Sequence, residues 1–348
     1  MPDRKFLMLK YIKVYEGRVK VTIRDLASKF NVAVGTTALD AITQGDGNTV
    51  LGYDAGTALT TGGNNVIIGK GSGSATTAVS NTVIIGQGAC GIDILTSDAD
   101  GTVAIGVEAA NVLTSGQKNT AIGAFSLEAE DEGHYNTAIG YESLQLQNAS
   151  SVEVGNTAVG CYAGKKVQTG IMSTFIGYNT GGGGDSNITG NDNTAVGALA
   201  GNVLEGAATR NTVIGYASGQ GITTGTHNTC LGSESGNVTT GSNNIVIGSG
   251  AIINANDDSN EIVIGSKDSL GNPTTGKGSN TATIGNNDVT AIYMASDSGA
   301  TVHCGSVVTS SKQFNDSGSL EVVDSNKVII ISGNMSGNKT IYLPAVTA

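Results

Sequence analysis

The stretch Asn136-Thr137-Ala138-Ile139-Gly140 recurs, with small variations, along most of the 348-residue chain. Asn119-Thr120-Ala121-Ile122-Gly123 precedes it and Asn156-Thr157-Ala158-Val159-Gly160 follows it, while Asn211-Thr212-Val213-Ile214-Gly215 is a more distant variant. Recurrence at a regular spacing is the signature of architectures built from stacked units. The repeat therefore has to be interpreted before any single residue.

The closing glycine of the pentad marks fifteen copies, most often 17 residues apart and sometimes lengthened by three. Seventeen residues are too few for a strand and a helix with their connections, so each copy is predicted to be an all-β coil. One coil cannot bury its own aliphatic side chains, whereas coils that stack bury them against their neighbours. The sequence thus predicts an all-β fold: a parallel β-roll solenoid of about fifteen 17-residue coils, with small β segments at both ends.

The residue before the closing glycine is aliphatic in every copy, and we expect it to face the inside of the coil as the structural repeat core. These residues are Val34, Leu51, Ile68, Ile85, Ile105, Ile122, Ile139, Val159, Ile176, Val196, Ile214, Leu231, Ile247, Ile264 and Ile284.

Asparagine opens thirteen of the fifteen copies, which predicts an amide ladder that satisfies buried polar groups from coil to coil. Its predicted members include Asn48, Asn65, Asn119, Asn136, Asn156, Asn193, Asn211, Asn228 and Asn244. Four copies have one extra residue between the opener and the glycine, and we expect the ladder to shift there. They close at Gly86, Gly106, Gly265 and Gly285.

The repeat divides the chain into three predicted parts: an N-terminal segment (1–30), the repeat β-roll (31–289) and a small C-terminal β domain or neck (290–348). The N-terminal segment holds eight of the 18 basic and three of the 29 acidic residues, so ten basic and 26 acidic residues follow it. An acidic body argues against binding to nucleic acid. No 18-residue apolar span occurs, which predicts no membrane insertion.

Residues 22–36 also resemble a helix-turn-helix, and the basic N-terminal segment would suit DNA. However, Asn31-Val32-Ala33-Val34-Gly35 is itself a copy of the pentad, 17 residues before the next one. We therefore assign this stretch to the rod and expect no nucleic-acid partner.

The pentad and the residues that follow it, such as Tyr53-Asp54-Ala55-Gly56 and Tyr141-Glu142-Ser143-Leu144, resemble the head repeats of YadA-type trimeric autotransporter adhesins. They resemble the 17-residue repeats of bacteriophage tail-fibre proteins still more closely. The resemblance covers 31 to about 289 and implies a left-handed β-roll, three chains about a threefold axis, and a rod that binds a cell surface. The secretion signal, coiled-coil stalk and membrane anchor of the adhesins are not recognised in the sequence, which favours the phage family.

The resemblance thus implies a structural protein of the virion, a homotrimeric tail fibre or similar appendage for attachment to the host. Its expected partners are two further copies of the chain, other virion proteins through the N-terminal segment, and a host cell-surface receptor, for which a glycan is one candidate. The alternatives are a tailspike-like polysaccharide depolymerase and a bacterial trimeric adhesin head.

No catalytic, cofactor-binding or metal-binding residues are predicted, and the protein is expected not to be an enzyme and to need no cofactor. Three histidines (His134, His227 and His303) do not support a Ser/His/Asp or Cys/His arrangement. His227 with Cys230 could form a metal site on a threefold axis, but isolated residues are the favoured interpretation.

Two further groups of residues leave alternatives open. Acidic residues such as Asp98 and Asp100 could bind a cation or act as paired carboxylates, although loops of this kind are normally solvated. Four tyrosines share the position after the closing glycine, where they could stack on sugars or, as we prefer, pack between chains. They are Tyr53, Tyr141, Tyr178 and Tyr216.

Overall fold

The structure is a computed structural model that describes residues 29–93, 95–149, 153–184, 187–290 and 292. These residues form one parallel sheet of fifteen three-residue strands, paired in the order in which they occur in the chain. The strands are β1 (Val32–Val34), β2 (Thr49–Leu51), β3 (Val66–Ile68), β4 (Val83–Ile85), β5 (Val103–Ile105), β6 (Thr120–Ile122), β7 (Thr137–Ile139), β8 (Thr157–Val159), β9 (Thr174–Ile176), β10 (Thr194–Val196), β11 (Thr212–Ile214), β12 (Thr229–Leu231), β13 (Ile245–Ile247), β14 (Ile262–Ile264) and β15 (Ala282–Ile284).

The predicted all-β solenoid of roughly 17-residue coils is confirmed. The described residues contain no α-helix, and their single 3₁₀ turn spans Ser97–Ala99. Residues 32–34 of the helix-turn-helix-like stretch form β1. The predicted N-terminal segment and C-terminal β domain fall outside the described residues, apart from 29, 30, 290 and 292, and stay predictions.

Strand register is constant along the sheet, because each coil returns the same three residues to the same place. Thr137, Ala138 and Ile139 of β7 pair with Thr120, Ala121 and Ile122 of β6. Coils of 20 residues keep this register as well, for example between β4 and β5. Added residues therefore enter the loops and leave the sheet unchanged.

The corner glycines explain why the pentad ends as it does. Gly123 has φ +133°, which L-residues rarely adopt, and a Cβ there would lie 2.3 Å from the carbonyl oxygen of Gly140 in the next coil. Because the same contact recurs from coil to coil, a column of corner glycines lets consecutive coils approach at strand spacing.

The middle residue of each strand points into the coil and forms the core with a second column, four residues after the corner glycine. Ala138 faces the coil interior together with Leu144, and both are fully buried. In the coil of β9 the sizes are reversed: Phe175 is fully buried, and a Cβ on Gly181 would lie 2.3 Å from its ring. Large and small residues thus compensate within a coil, as close packing requires.

The prediction that the aliphatic residue before the corner glycine forms the core was wrong. All fifteen are half-buried or exposed on the chain surface: Val34, Leu51, Ile68, Ile85, Ile105, Ile122, Ile139, Val159, Ile176, Val196, Ile214, Leu231, Ile247, Ile264 and Ile284. The physical reason is the two-residue period of a strand, which sends side chains alternately to its two faces. Since the opening asparagine and the middle residue point inward, the residues between and after them point outward.

The opening asparagines lie inside the coil and are linked from one coil to the next. Asn48 Nδ2 donates to Asn31 Oδ1 at 2.9 Å, and Asn65 Nδ2 donates to Asn48 Oδ1 at 2.9 Å. The other members make the same link through side-chain or backbone N–H groups, as in Asn136 N to Asn119 Oδ1 at 2.8 Å. Buried amides are thereby satisfied.

The ladder does not shift at the four longer openers, contrary to our expectation. Its position is taken there by the next residue, Thr82, Thr102, Glu261 or Thr281. Thr82 Oγ1, for instance, donates to Asn65 Oδ1 at 2.7 Å. Glu261 is fully buried, and its carboxylate accepts from the Gly278 amide at 2.8 Å.

Candidate functional surface

The outward residues of the fifteen strands form two parallel columns along the rod. The third strand position gives the fifteen aliphatic residues, which we call the aliphatic stripe. The first position is threonine throughout β6 to β12 and valine or isoleucine in β3 to β5, β13 and β14. Constant register places equivalent side chains above one another, so the stripe is continuous.

The stripe is apolar and accessible. Leu51 is 47% exposed, Leu231 43% and Ile139 36%. At about 4.8 Å between strands, fifteen coils are roughly 70 Å long, and the two columns lie about 7 Å apart. The resulting patch is on the order of 500 Å², which is large for a monomeric soluble protein and typical of an interaction surface.

A second set of apolar residues follows the corner glycines of six consecutive coils. It alternates between the second and the first residue after the glycine, and we call it the ridge: Phe125, Tyr141, Tyr162, Tyr178, Leu199 and Tyr216. Neighbouring ring centroids lie 6.0 Å, 5.5 Å and 6.1 Å apart from Phe125 to Tyr178, in edge-to-face geometry. The sequence analysis found only the tyrosines at the first of these positions.

An ion pair neutralises the charge beside the ridge. Lys165 pairs with Glu142, and its ammonium lies 5.1 Å from the centre of the Tyr162 ring. Burial alone would raise the pKa of Glu142, but hydrogen bonds from Lys165 and Tyr141 hold it below its ordinary value. The same hydrogen bond to Glu142 raises the pKa of Tyr141 to about 12.

A groove of about 330 Å³ lies where the ridge ends, lined by Tyr216, Gln220, Glu234 and Asn237 among others. It occurs at the coil that is one residue shorter than the rest. Between Gly236 and the buried Val238 this coil has one residue, Asn237, where the preceding coil has two. Glu234 is neutralised by Lys267, whose Nζ lies 2.8 Å from its Oε2.

The histidines and cysteines of the described coils are not arranged as a catalytic or metal site. His227 is exposed and its Nε2 lies 3.4 Å from Arg210 Nη1, whereas Cys230 is fully buried, and burial raises the pKa of its thiol to about 12. No group of three or more His, Cys, Asp or Glu residues that could hold a metal ion occurs among the described residues. His303 and Cys304 fall outside them.

The acidic loop residues act as hydrogen-bond acceptors for the loops themselves. Asp100 Oδ1 accepts from the Ser80 amide at 2.6 Å. Asp258 accepts from the Ser279 hydroxyl at 2.8 Å, and this bond holds the pKa of Asp258 below its usual range. The described part of the chain also contains no helix long and apolar enough to cross a membrane.

Two comparisons with known proteins accompany this geometry. No protein-family model matches the sequence, and no curated protein matches it.

Proposed function

We propose that the chain is one of three in a homotrimeric rod that serves as a phage tail fibre or similar appendage and attaches the virion to its host. The observation that carries the proposal is the aliphatic stripe, which is exposed on a single chain and unbroken over all fifteen coils. Covering a half-exposed aliphatic side chain contributes about 1 kcal/mol. Fifteen of them outweigh an association cost of about 4–15 kcal/mol only if a partner matches the full length of the stripe.

A second copy of the chain, parallel and in register, has that length and spacing. The resemblance of the pentads to phage tail-fibre repeats supports three copies about a threefold axis and a left-handed coil. Such a rod would serve as a spacer, with the N-terminal segment contacting other virion proteins.

Sedimentation equilibrium tests the assembly. The 34.8 kDa chain is expected to sediment at three times its mass. Ile139→Asn combined with Ile176→Asn introduces polar groups into the stripe and should reduce the mass to that of one chain at micromolar concentration. Tyr53→Ser is the matched control, since Tyr53 is 54% exposed but lies outside the stripe.

Circular dichroism of each variant shows whether the coils remain folded. A native protein that sediments as a monomer would refute the assembly. Attachment is tested separately by immunogold labelling of virions, with label expected on a tail or capsid appendage. Labelling of bacterial surfaces alone would favour an adhesin head.

A further inference from the structure

We propose that the ridge and the groove at its end form a lateral binding site for an uncharged oligosaccharide lying along the rod. The inference rests on the attachment role proposed above and names the class of ligand. Its first support is that the ridge is local. The aliphatic stripe occurs in fifteen coils, as an assembly contact should, whereas the ridge occupies only six.

The ridge is accessible and pre-organised. Tyr141 is 41% exposed, Tyr178 56% and Tyr216 55%. Backbone hydrogen bonds join its members from coil to coil, since Tyr162 N donates to Tyr141 O at 2.9 Å and Leu199 N donates to Tyr178 O at 2.9 Å. Rings held by the backbone of a stacked solenoid lose little entropy when a ligand covers them.

The groove supplies polar groups next to the last ring. Gln220 and Asn237 have exposed amides, and neither side chain hydrogen-bonds to another residue within the described coils. Each amide offers both a donor and an acceptor, which is what a sugar hydroxyl requires. An aromatic face for the C–H side of a pyranose and amides for its hydroxyls together favour a sugar.

Charge determines which kind of sugar fits. Glu142 and Glu234 each pair with a lysine, so the ridge and groove carry no unpaired charge of their own. The chain has a net charge of −11, which disfavours an anionic polysaccharide. The occupant is therefore a neutral hexose oligomer.

The experiment uses the full-length protein with cellohexaose, maltohexaose and hexagalacturonate in isothermal titration calorimetry. We expect one of the neutral hexaoses to bind more tightly than hexagalacturonate. Tyr178→Ser and Tyr216→Ser should each weaken that binding about tenfold, the effect of losing one aromatic contact. Tyr53→Ser is the control and should bind like the native protein, because the second residues after the glycine in its adjoining coils are Thr37 and Gly71.

Three results would overturn the site: no binding of either neutral hexaose, unchanged binding by both ridge variants, or tighter binding of hexagalacturonate. Sedimentation of the same samples separates this inference from the proposed function. A native trimer that ignores both neutral hexaoses rejects the site alone, whereas a native monomer rejects the assembly. If the ridge variants lose the trimer while Tyr53→Ser keeps it, the ridge is a contact between chains and the site is rejected.

Discussion

Exchanging the large and small residues inside one coil should separate packing from composition. Phe175→Ala removes a fully buried ring and should cost about 3–5 kcal/mol of unfolding free energy. Gly181→Leu alone should cost about 1–3 kcal/mol or more, since its Cβ would lie 2.3 Å from that ring. The double variant recreates the pairing of Ala138 with Leu144, so it should fall within about 1.5 kcal/mol of the native protein.

The backbone permits this exchange. Leu144 has φ +47° and Gly181 has φ +58°, so leucine already adopts the required conformation in a neighbouring coil. The two substitutions should therefore be coupled by about 3 kcal/mol or more, whereas independent sites add within about 0.5 kcal/mol. Phe175→Ala with Gly206→Leu is the control pair, since Gly206 has φ +48° and its nearest neighbour is a Thr224 methyl at 4.0 Å.

Guanidinium unfolding followed by circular dichroism measures these differences, at one protein concentration because association adds to stability. If unfolding is irreversible, unfolding rates at one denaturant concentration replace the free energies. Additive effects of Phe175→Ala and Gly181→Leu would refute the argument that one coil interior is filled by compensating sizes.

Four further predictions concern single positions. Gly123→Ala should cost at least about 3 kcal/mol from backbone strain and collision with the next coil, whereas Gly71→Ala, with open space at its Cβ, should cost about 1 kcal/mol; denaturant midpoints of the two compare them. Asn211→Ala should cost about 3 kcal/mol in the same assay, because its amide donates to Gly225 O at 2.8 Å and accepts inside the coil. Met172→Asn should raise the melting temperature by an amount equivalent to about 1 kcal/mol, since Met172 has φ +55° and asparagine tolerates that conformation better; an unchanged melting temperature would contradict this. Hydrogen bonds from Asn272 and Asn287 lower the pKa of Asp268 from 3.8 to about 2, so the stability it contributes is present above pH 3.8 and is lost as the pH falls through about 2. Thermal unfolding between pH 5 and pH 2 should therefore depend less on pH in Asp268→Asn than in the native protein.

The period of the pentads predicted the coil and the number of strands, because the corner glycine recurs wherever the backbone must turn against its neighbour. The period did not show which strand residue is buried. Size suggested Ile139, whereas the buried Asn136 determines the alternation and places Ala138 inside. Consistent use of the two-residue period from the asparagine onward would have predicted the aliphatic stripe.

The ridge was missed for a different reason. Aligning the copies on their glycines groups Tyr141, Tyr178 and Tyr216 but separates them from Phe125 and Tyr162, one residue further on. In three dimensions the two positions are adjacent, because the second residue after one glycine hydrogen-bonds to the first residue after the preceding glycine. A one-dimensional alignment does not contain that offset.

The amide ladder also gives the rod an electrical direction. In each link of known geometry the later asparagine donates and the earlier one accepts, as from Asn228 to Asn211 and from Asn211 to Asn193. The side-chain dipoles therefore add head to tail and polarise one another along the axis. The two ends of the coil stack differ in potential even before their side chains are considered, so two such rods joined end to end would match head to tail and not head to head.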